Sequence, residues 1–338
     1  MKKVLSLLLL LCAVFSLVAC VPEKEPTTEA PTTTTEQSVT EPAPQSEEST
    51  PLFWKVSGNG YDGEFYLLGS IHIGTENTNN YPKQIIDAFE KCAALAVESD
   101  IIALEEDPAA LIEGIKPFVY SDGTTIKDHI DKELYDDAVA LMTELGIYNL
   151  AMDYYKPTFW ESMISSMLTD MTENYKTENG VDRWFLSKAK ETNKEIIELE
   201  DYKKIYADAA ALSDKTQEFV LKSDIRGFKT DNYVKEYEES VKELFDIWKK
   251  GDLTKAEEIL FSEVDESKYT AEEIRCAEEY NNVILIDRNA EMVKKALDLL
   301  KNGKSVFYVV GMAHMLGNDG LVKKLTEAGY TVELVRFD

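Results

Sequence analysis

Two stretches far apart in this chain share one pattern: an apolar run closed by glycine, then a histidine three residues on. Phe65-Tyr66-Leu67-Leu68-Gly69-Ser70-Ile71-His72 is the first, and Val306-Phe307-Tyr308-Val309-Val310-Gly311-Met312-Ala313-His314 is the second. Each run is short, apolar and rich in aromatic or β-branched residues, so each reads as a buried strand. The glycine lets the backbone turn or pack closely where the strand ends. Nearly everything between the two has helical spacing. This predicts an α/β fold with a mixed central sheet, built from N- and C-terminal strands, that carries a large helical insertion at about residues 101–280.

The rest of the folded region fits that plan. Phe53–Ser57 reads as a strand joined to Glu64–Ile71 through the turn-rich Gly58–Gly63, a hairpin. Pro82–Cys92 reads as a helix with proline in its first turn. Ala93–Val97 reads as a short buried strand. Helices are predicted over 108–115, 131–145, 158–175, 181–192, 202–212, 216–250, 254–261 and 271–300. Glu195–Glu200 interrupts them as a strand. Lys304–Val310, a helix 320–328 closed by Gly329, and Tyr330–Arg336 return the chain to the sheet.

If the strands lie side by side and roughly parallel, their carboxyl ends gather chemistry at the edge where open α/β sheets bind ligands. His72 and His314 follow two of them. Glu98 and Glu200 close two others, with Glu198 and Asp201 near the latter. Two imidazoles and two carboxylates can hold a divalent metal that acidifies a water, or can act as acid and base without one. The spacing does not choose, because the groups come from distant segments rather than one helix. Each group also has a plain structural account: a hydrogen-bonded strand-end histidine, a salt-bridged or capping glutamate. The chain has only three histidines, and two share this context, which favours function for them. His129 lies in a polar stretch and reads as a surface residue. Arg288, beside Asn289 on a helix, suits either a bidentate hold on a substrate carboxylate or a salt bridge. Asp182 opens a helix, where capping is the simplest account. Aromatic pairs such as Tyr154-Tyr155 and Phe159-Trp160 read as core.

Composition narrows the partners. Lys plus Arg number 36 against 63 Asp plus Glu, a formal net charge of −27. No basic excess exists to displace counterions from a phosphate backbone, so nucleic acid is excluded as a partner. Anionic lipid would repel this surface, so any membrane attachment must be hydrophobic or covalent. Met1-Lys2-Lys3 followed by the apolar Val4–Ala19 reads as a secretory leader over residues 1–19. Leu17-Val18-Ala19-Cys20 resembles a bacterial lipobox, which implies cleavage before Cys20 and a diacylglyceryl group on its sulfur. That anchor would place the protein on the cell membrane facing outward. Losing Lys2 and Lys3 and no acid would take the charge from −27 to −29. The Thr-, Pro- and Glu-rich segment 20–51 cannot bury a core and reads as a disordered tether, spanning roughly 30 Å root-mean-square. The folded domain is read as 52–338. Of four cysteines, Cys92 and Cys276 remain in it, as one disulfide or two buried thiols.

Taken together, Gly69-Ser70-Ile71-His72, Glu98, Gly180-Val181-Asp182, Glu200, Arg288-Asn289 and Gly311-Met312-Ala313-His314 resemble the TraB/GumN (PrgY-like) family, which includes the Wnt-inactivating TIKI proteases. The likeness continues through Leu316-Gly317, Gly320-Leu321 and Ala328-Gly329-Tyr330-Thr331-Val332, covering about residues 53–337. It implies an α/β core with a helical insertion similar to erythromycin-esterase and ChaN-like proteins. For the TIKI branch it implies metal-dependent peptide hydrolysis through both Gly-x-x-His motifs and a glutamate, here His72, His314 and Glu98, with Mn, Co or Zn as the ion. PrgY-like members are associated instead with blocking or sequestering a peptide pheromone. The expectation is therefore a surface-anchored hydrolase acting on extracellular peptides or small molecules, with Glu200 and Arg288 in the same site. The alternatives are a non-catalytic capture module and a metal-free, esterase-like hydrolase.

Overall fold

A computed structural model describes residues 47–228, 232–261 and 266–337. The leader, the lipobox with Cys20 and the linker up to residue 46 lie outside the described residues. Within them, β1 (Phe53–Gly58), β2 (Tyr61–Ser70), β3 (Ala94–Val97), β4 (Glu195–Glu198), β5 (Val306–Gly311) and β6 (Thr331–Leu334) form one 6-stranded sheet in the order β4-β3-β5-β2-β1-β6. β4, β3, β5 and β2 run parallel, whereas β1 is antiparallel to both β2 and β6. The mixed α/β class thus holds. β4, the strand expected at 195–200, comes from inside the helical insertion and joins the strands from the N- and C-terminal parts at one edge of the sheet.

Burial explains this strand order. Residues 65–70, 94–97 and 306–311 are buried throughout, as an apolar strand covered on both faces must be. No residue of the edge strands β4 and β6 is fully buried, and both carry glutamates. The β1–β2 hairpin turns tightly at Gly58, Asn59 and Gly60, all with positive φ, so β2 starts at Tyr61, earlier than the sequence suggests. Helices then cover the sheet. Trp248, fully buried on the Tyr233–Lys249 helix, donates its Nε1–H to the Gly69 carbonyl at 2.8 Å and ties the insertion to the end of β2. Ser49 and Pro51, counted above with the linker, are buried. Ser49 N–H donates to Asn80 O at 2.8 Å and Thr50 N–H to Lys249 O at 2.8 Å, so the packed region starts a few residues before 52.

Two helical segments differ from expectation. The run 216–250 is two helices, Asp214–Gly227 and Tyr233–Lys249, the first ending at a glycine. The run 271–300 is helical throughout, but Asn282–Ile286 within it is a π turn that ends two residues before Arg288. Pro157–Met171 packs on Asp214–Gly227 through polar groups as well as apolar ones. Thr158 Oγ1 donates to Gln217 Oε1 at 3.1 Å, and Ser165 Oγ lies 3.3 Å from Glu161 Oε1 and 3.4 Å from Asp224 Oδ2. Cys92 and Cys276 are free, buried thiols. No helix of the described residues is long and apolar enough to cross a membrane.

Candidate functional site

Sheet register brings the strand-end groups together. β2 and β5 pair with Ser70 opposite Gly311, so His72 and His314 emerge at the same edge. β3 flanks β5 with Val97 opposite Val309, and Glu98 follows directly. β4 lies beyond β3, and Glu200 N–H continues the ladder to Glu98 O at 3.0 Å. The two nearby acids have other tasks: Glu198 accepts from Asp100 N–H, and Asp201 caps the next helix through Lys203 N–H.

Glu98 is the hub. Its Oε1 accepts the Gly311 N–H at 2.7 Å and lies 3.9 Å from both His72 Nε2 and His314 Nε2. Its Oε2 accepts from Arg288 Nη2 at 2.6 Å. Arg288 also donates to Glu200, from Nε at 2.8 Å and from Nη2 at 2.6 Å, and from Nη1 to the Ile284 carbonyl of the π turn at 3.2 Å. Arg288 is 7% exposed and makes four hydrogen bonds to protein partners, two glutamates among them, so it serves here as a buried salt bridge. The far nitrogens of the imidazoles are held too. His72 Nδ1 is 2.7 Å from Asp182 Oδ2, and His314 Nδ1 is 2.6 Å from Asn289 Oδ1. Asp182 Oδ1 accepts from the buried Ser70 hydroxyl at 3.0 Å. The missing side chain of Gly311 keeps the centre open. A Cβ there would lie 3.4 Å from Glu98 Oε1 and 3.5 Å from His72 Nε2.

Electrostatics separate the two histidines. Burial opposes charge on His72, but the Asp182 carboxylate and its hydrogen bond, with Glu98 beyond, raise it to about 9. Burial and the Arg288 charge push His314 down to about 3 against the pull of Glu98. Burial would raise Glu98, yet His314, Arg288, His72 and the Gly311 amide bring it to about 2. Glu200 stays above the usual carboxylate range, because its burial outweighs Arg288.

The donors suit a divalent ion in kind: two imidazole Nε2 atoms and one carboxylate oxygen around a common space, each Nδ1 already engaged. They stand further apart than the roughly 3.3 Å between ligands of a tetrahedral zinc ion. Among the described residues, no group of three His, Cys, Asp or Glu is drawn close enough to hold a metal.

The cluster thus unites His72, Glu98, His314, Glu200 and Arg288, all expected from sequence, and excludes His129. That residue is no plain surface histidine. It stacks on Tyr120 with ring centroids 4.3 Å apart, and it bonds Asp214 at 3.0 Å and Thr124 at 2.8 Å. Asp182, read above as a cap, makes no capping bond and turns to His72 instead. Ser70 and Asn289 were not singled out for roles of their own. The pairing of Asn289 with Arg288 was the available signal.

An α/β protein with a buried His/Glu/Arg cluster at the carboxyl edge of its parallel strands is the class this fold and site define. The chain belongs to the TraB/PrgY/gumN family, whose profile matches residues 52–334. It is similar to the "Uncharacterized protein YbaP" of Escherichia coli (strain K12), 24% identical over 151 residues, which are 45% of this chain and 53% of that protein. The protein of the same name from Shigella flexneri is 24% identical over 150 residues, 44% of this chain and 53% of its own length. The chain thus matches about half the length of these curated relatives. No solved structure matches it.

Proposed function

We propose that this chain is a divalent-metal-dependent hydrolase of extracellular peptides, held on the outer face of the cell membrane by a lipid on Cys20. One observation carries the proposal: His72 Nε2 and His314 Nε2 both face Glu98 Oε1 at 3.9 Å, at the ends of parallel strands. His72, His314 and Glu98 would hold Mn, Co or Zn. When bound, such an ion supplies a water acidic enough to attack a carbonyl near neutral pH. Arg288 keeps Glu98 ionised and fixes its Oε2, and Glu200 balances the guanidinium. The peptide as substrate follows from the likeness to the TIKI branch.

A second reading has its own support. Arg288 already neutralises Glu98 at 2.6 Å, which weakens that carboxylate as a metal ligand and suits metal-free hydrolysis by the histidines as acid and base.

The test is metal content of protein purified without chelator or histidine tag, beside the His72→Ala/His314→Ala double variant, with peptide cleavage followed by mass spectrometry. Near-stoichiometric metal and cleavage, both lost in the double variant, are expected. Cleavage that survives exhaustive chelation selects the second reading. Stoichiometric capture without product overturns both. Cys20→Ala should shift the protein from the membrane fraction to the medium or periplasm.

A further inference from the structure

We infer that Asp182 and Asn289 are positioning residues that keep a proton on Nδ1 of His72 and of His314, so that both imidazoles work through Nε2. A neutral imidazole carries one proton, and the partner of one nitrogen decides the state of the other. A carboxylate only accepts, so a nitrogen 2.7 Å from Asp182 Oδ2 carries hydrogen. The amide oxygen of Asn289, 2.6 Å from His314 Nδ1, imposes the same pattern without charge. Both Nε2 atoms then face the space over Gly311, whose absent side chain keeps it open.

The fold fixes both acceptors. Asp182 is the second residue of the Val181–Glu191 helix and 5% exposed. That helix docks on the very backbone it serves: Val181 N–H donates to Ile71 O at 3.0 Å, and a Cβ on Gly180 would fall 2.3 Å from the His72 carbonyl oxygen. Only glycine permits that approach. Ser70 holds the other carboxylate oxygen. Asn289 is the third residue of the Asp287–Lys301 helix and 2% exposed, next to the Arg288 that anchors Glu98. Each Gly-x-x-His motif is thus completed by a polar helix residue, 110 positions away for His72 and 25 for His314.

The inference deepens the hydrolase reading and rests on it for its chemical use, but the proton positions are measured without turnover. With three histidines in the chain, ring 15N shifts of protein labelled in histidine can be assigned by single substitutions. In chelated native protein, Nδ1 of both His72 and His314 should carry hydrogen. Asp182→Ala should move His72 alone toward the Nε2–H form, and Asn289→Ala should move His314 alone. Asp182→Asn should restore Nδ1–H at His72, because its amide oxygen can accept. The alanine variants should also lose about 10–100-fold in metal affinity or turnover. An unprotonated Nδ1 at either ring of the native protein overturns the inference, and that spectrum needs no variant to fold. Folded alanine variants with unmoved shifts overturn it as well. The expected shifts in a protein that cleaves nothing would leave the positioning intact and remove the hydrolase reading.

Discussion

At the sheet edge two buried carboxylates share one guanidinium; in the helical insertion two buried carboxylates share, among the described residues, a serine hydroxyl and each other. Burial acts alike on all four, favouring the neutral acid. For Glu98 the opposing pull of His314, Arg288, His72 and the Gly311 amide outweighs burial and carries it down to about 2. Glu200 shares that guanidinium, but its burial outweighs Arg288 and the neighbouring Glu98 charge adds to the burial, so it remains raised. Glu161 and Asp224 face each other from the Pro157–Met171 and Asp214–Gly227 helices, and among the described residues no cation pairs with either. Burial lifts Glu161 to about 7 and Asp224 well above its usual range. The sheet edge therefore keeps fixed charge, a preorganised field able to act on a ligand. The insertion keeps protons, and its helix contact depends on pH.

Removing the guanidinium gives the largest test of that contrast. Arg288→Met keeps much of the volume and strips Glu98 and Glu200 of the guanidinium they share, leaving Glu98 only the His72 imidazolium at 3.9 Å. Stability at neutral pH should fall by about 3–5 kcal/mol, the usual result of breaking one side of a buried ion pair. The pH dependence should invert. In the native protein Glu98 is depressed, so its contribution is present above about 4.5 and lost as pH falls toward 2. In the variant Glu200, already raised by burial, loses the charge that opposed its protonation, so acidification from pH 7.5 to 5 should recover part of the loss. Urea unfolding at the two pH values measures this. A loss under about 1 kcal/mol with no recovery would mean that the sheet edge does not depend on its cation.

The insertion should respond with the opposite sign. Glu161 is raised in the folded state, so its stabilisation is complete below about 4.5 and is lost as pH rises through about 7. Glu161→Gln keeps the shape and removes the titration. The difference in unfolding free energy between pH 5 and pH 8 should shrink by on the order of 1–3 kcal/mol relative to the native protein. Equal slopes for both proteins would show that the pair holds no proton, and the two regions would no longer contrast.

The sheet-edge site was far more legible in the sequence than the insertion's buried pair, for a physical reason. Strands β2 and β5 announce themselves as apolar runs with a glycine at the end, and parallel pairing then carries His72 and His314 to one edge. Gly329 marks its helix end in the same local way, with a φ of 91°. What stayed hidden depends on contacts across the fold. An acid in the first turn of a helix looks like a dipole partner, so nothing local directs Asp182 to His72. Asn282-Val283-Ile284-Leu285-Ile286 keeps helical spacing and conceals a π turn. His129 has polar neighbours in sequence, but a tyrosine and an aspartate against it in space. Glu161 lies on a helix predicted from its apolar spacing, and nothing local in the sequence marks it as buried. In the fold that helix is buried around most of its circumference, Ser162, Ile164 and Ser165 included.

Paired serine deletions provide the finest comparison. Ser165 Oγ lies 3.3 Å from Glu161 Oε1 and 3.4 Å from Asp224 Oδ2, two long contacts. Ser70 Oγ donates to Asp182 Oδ1 at 3.0 Å, where the carboxylate also has an imidazole. Each serine-to-alanine change should lower stability by about 0.5–1.5 kcal/mol, the net worth of one buried hydrogen bond. Their pH signatures should differ. The Ser165 hydroxyl favours the ionised form of both insertion acids, so Ser165→Ala should move the loss of stability to higher pH. Ser70→Ala leaves His72 to hold Asp182 and should lower stability by a similar amount at pH 5 and pH 8. Carboxyl 13C titration of Glu161 in the two variants is the direct measurement. An upward move in Ser165→Ala alone keeps the regions distinct. An unmoved Glu161 in Ser165→Ala would show that the acids ignore the hydroxyl, leaving their mutual hydrogen bond as the link between the two helices.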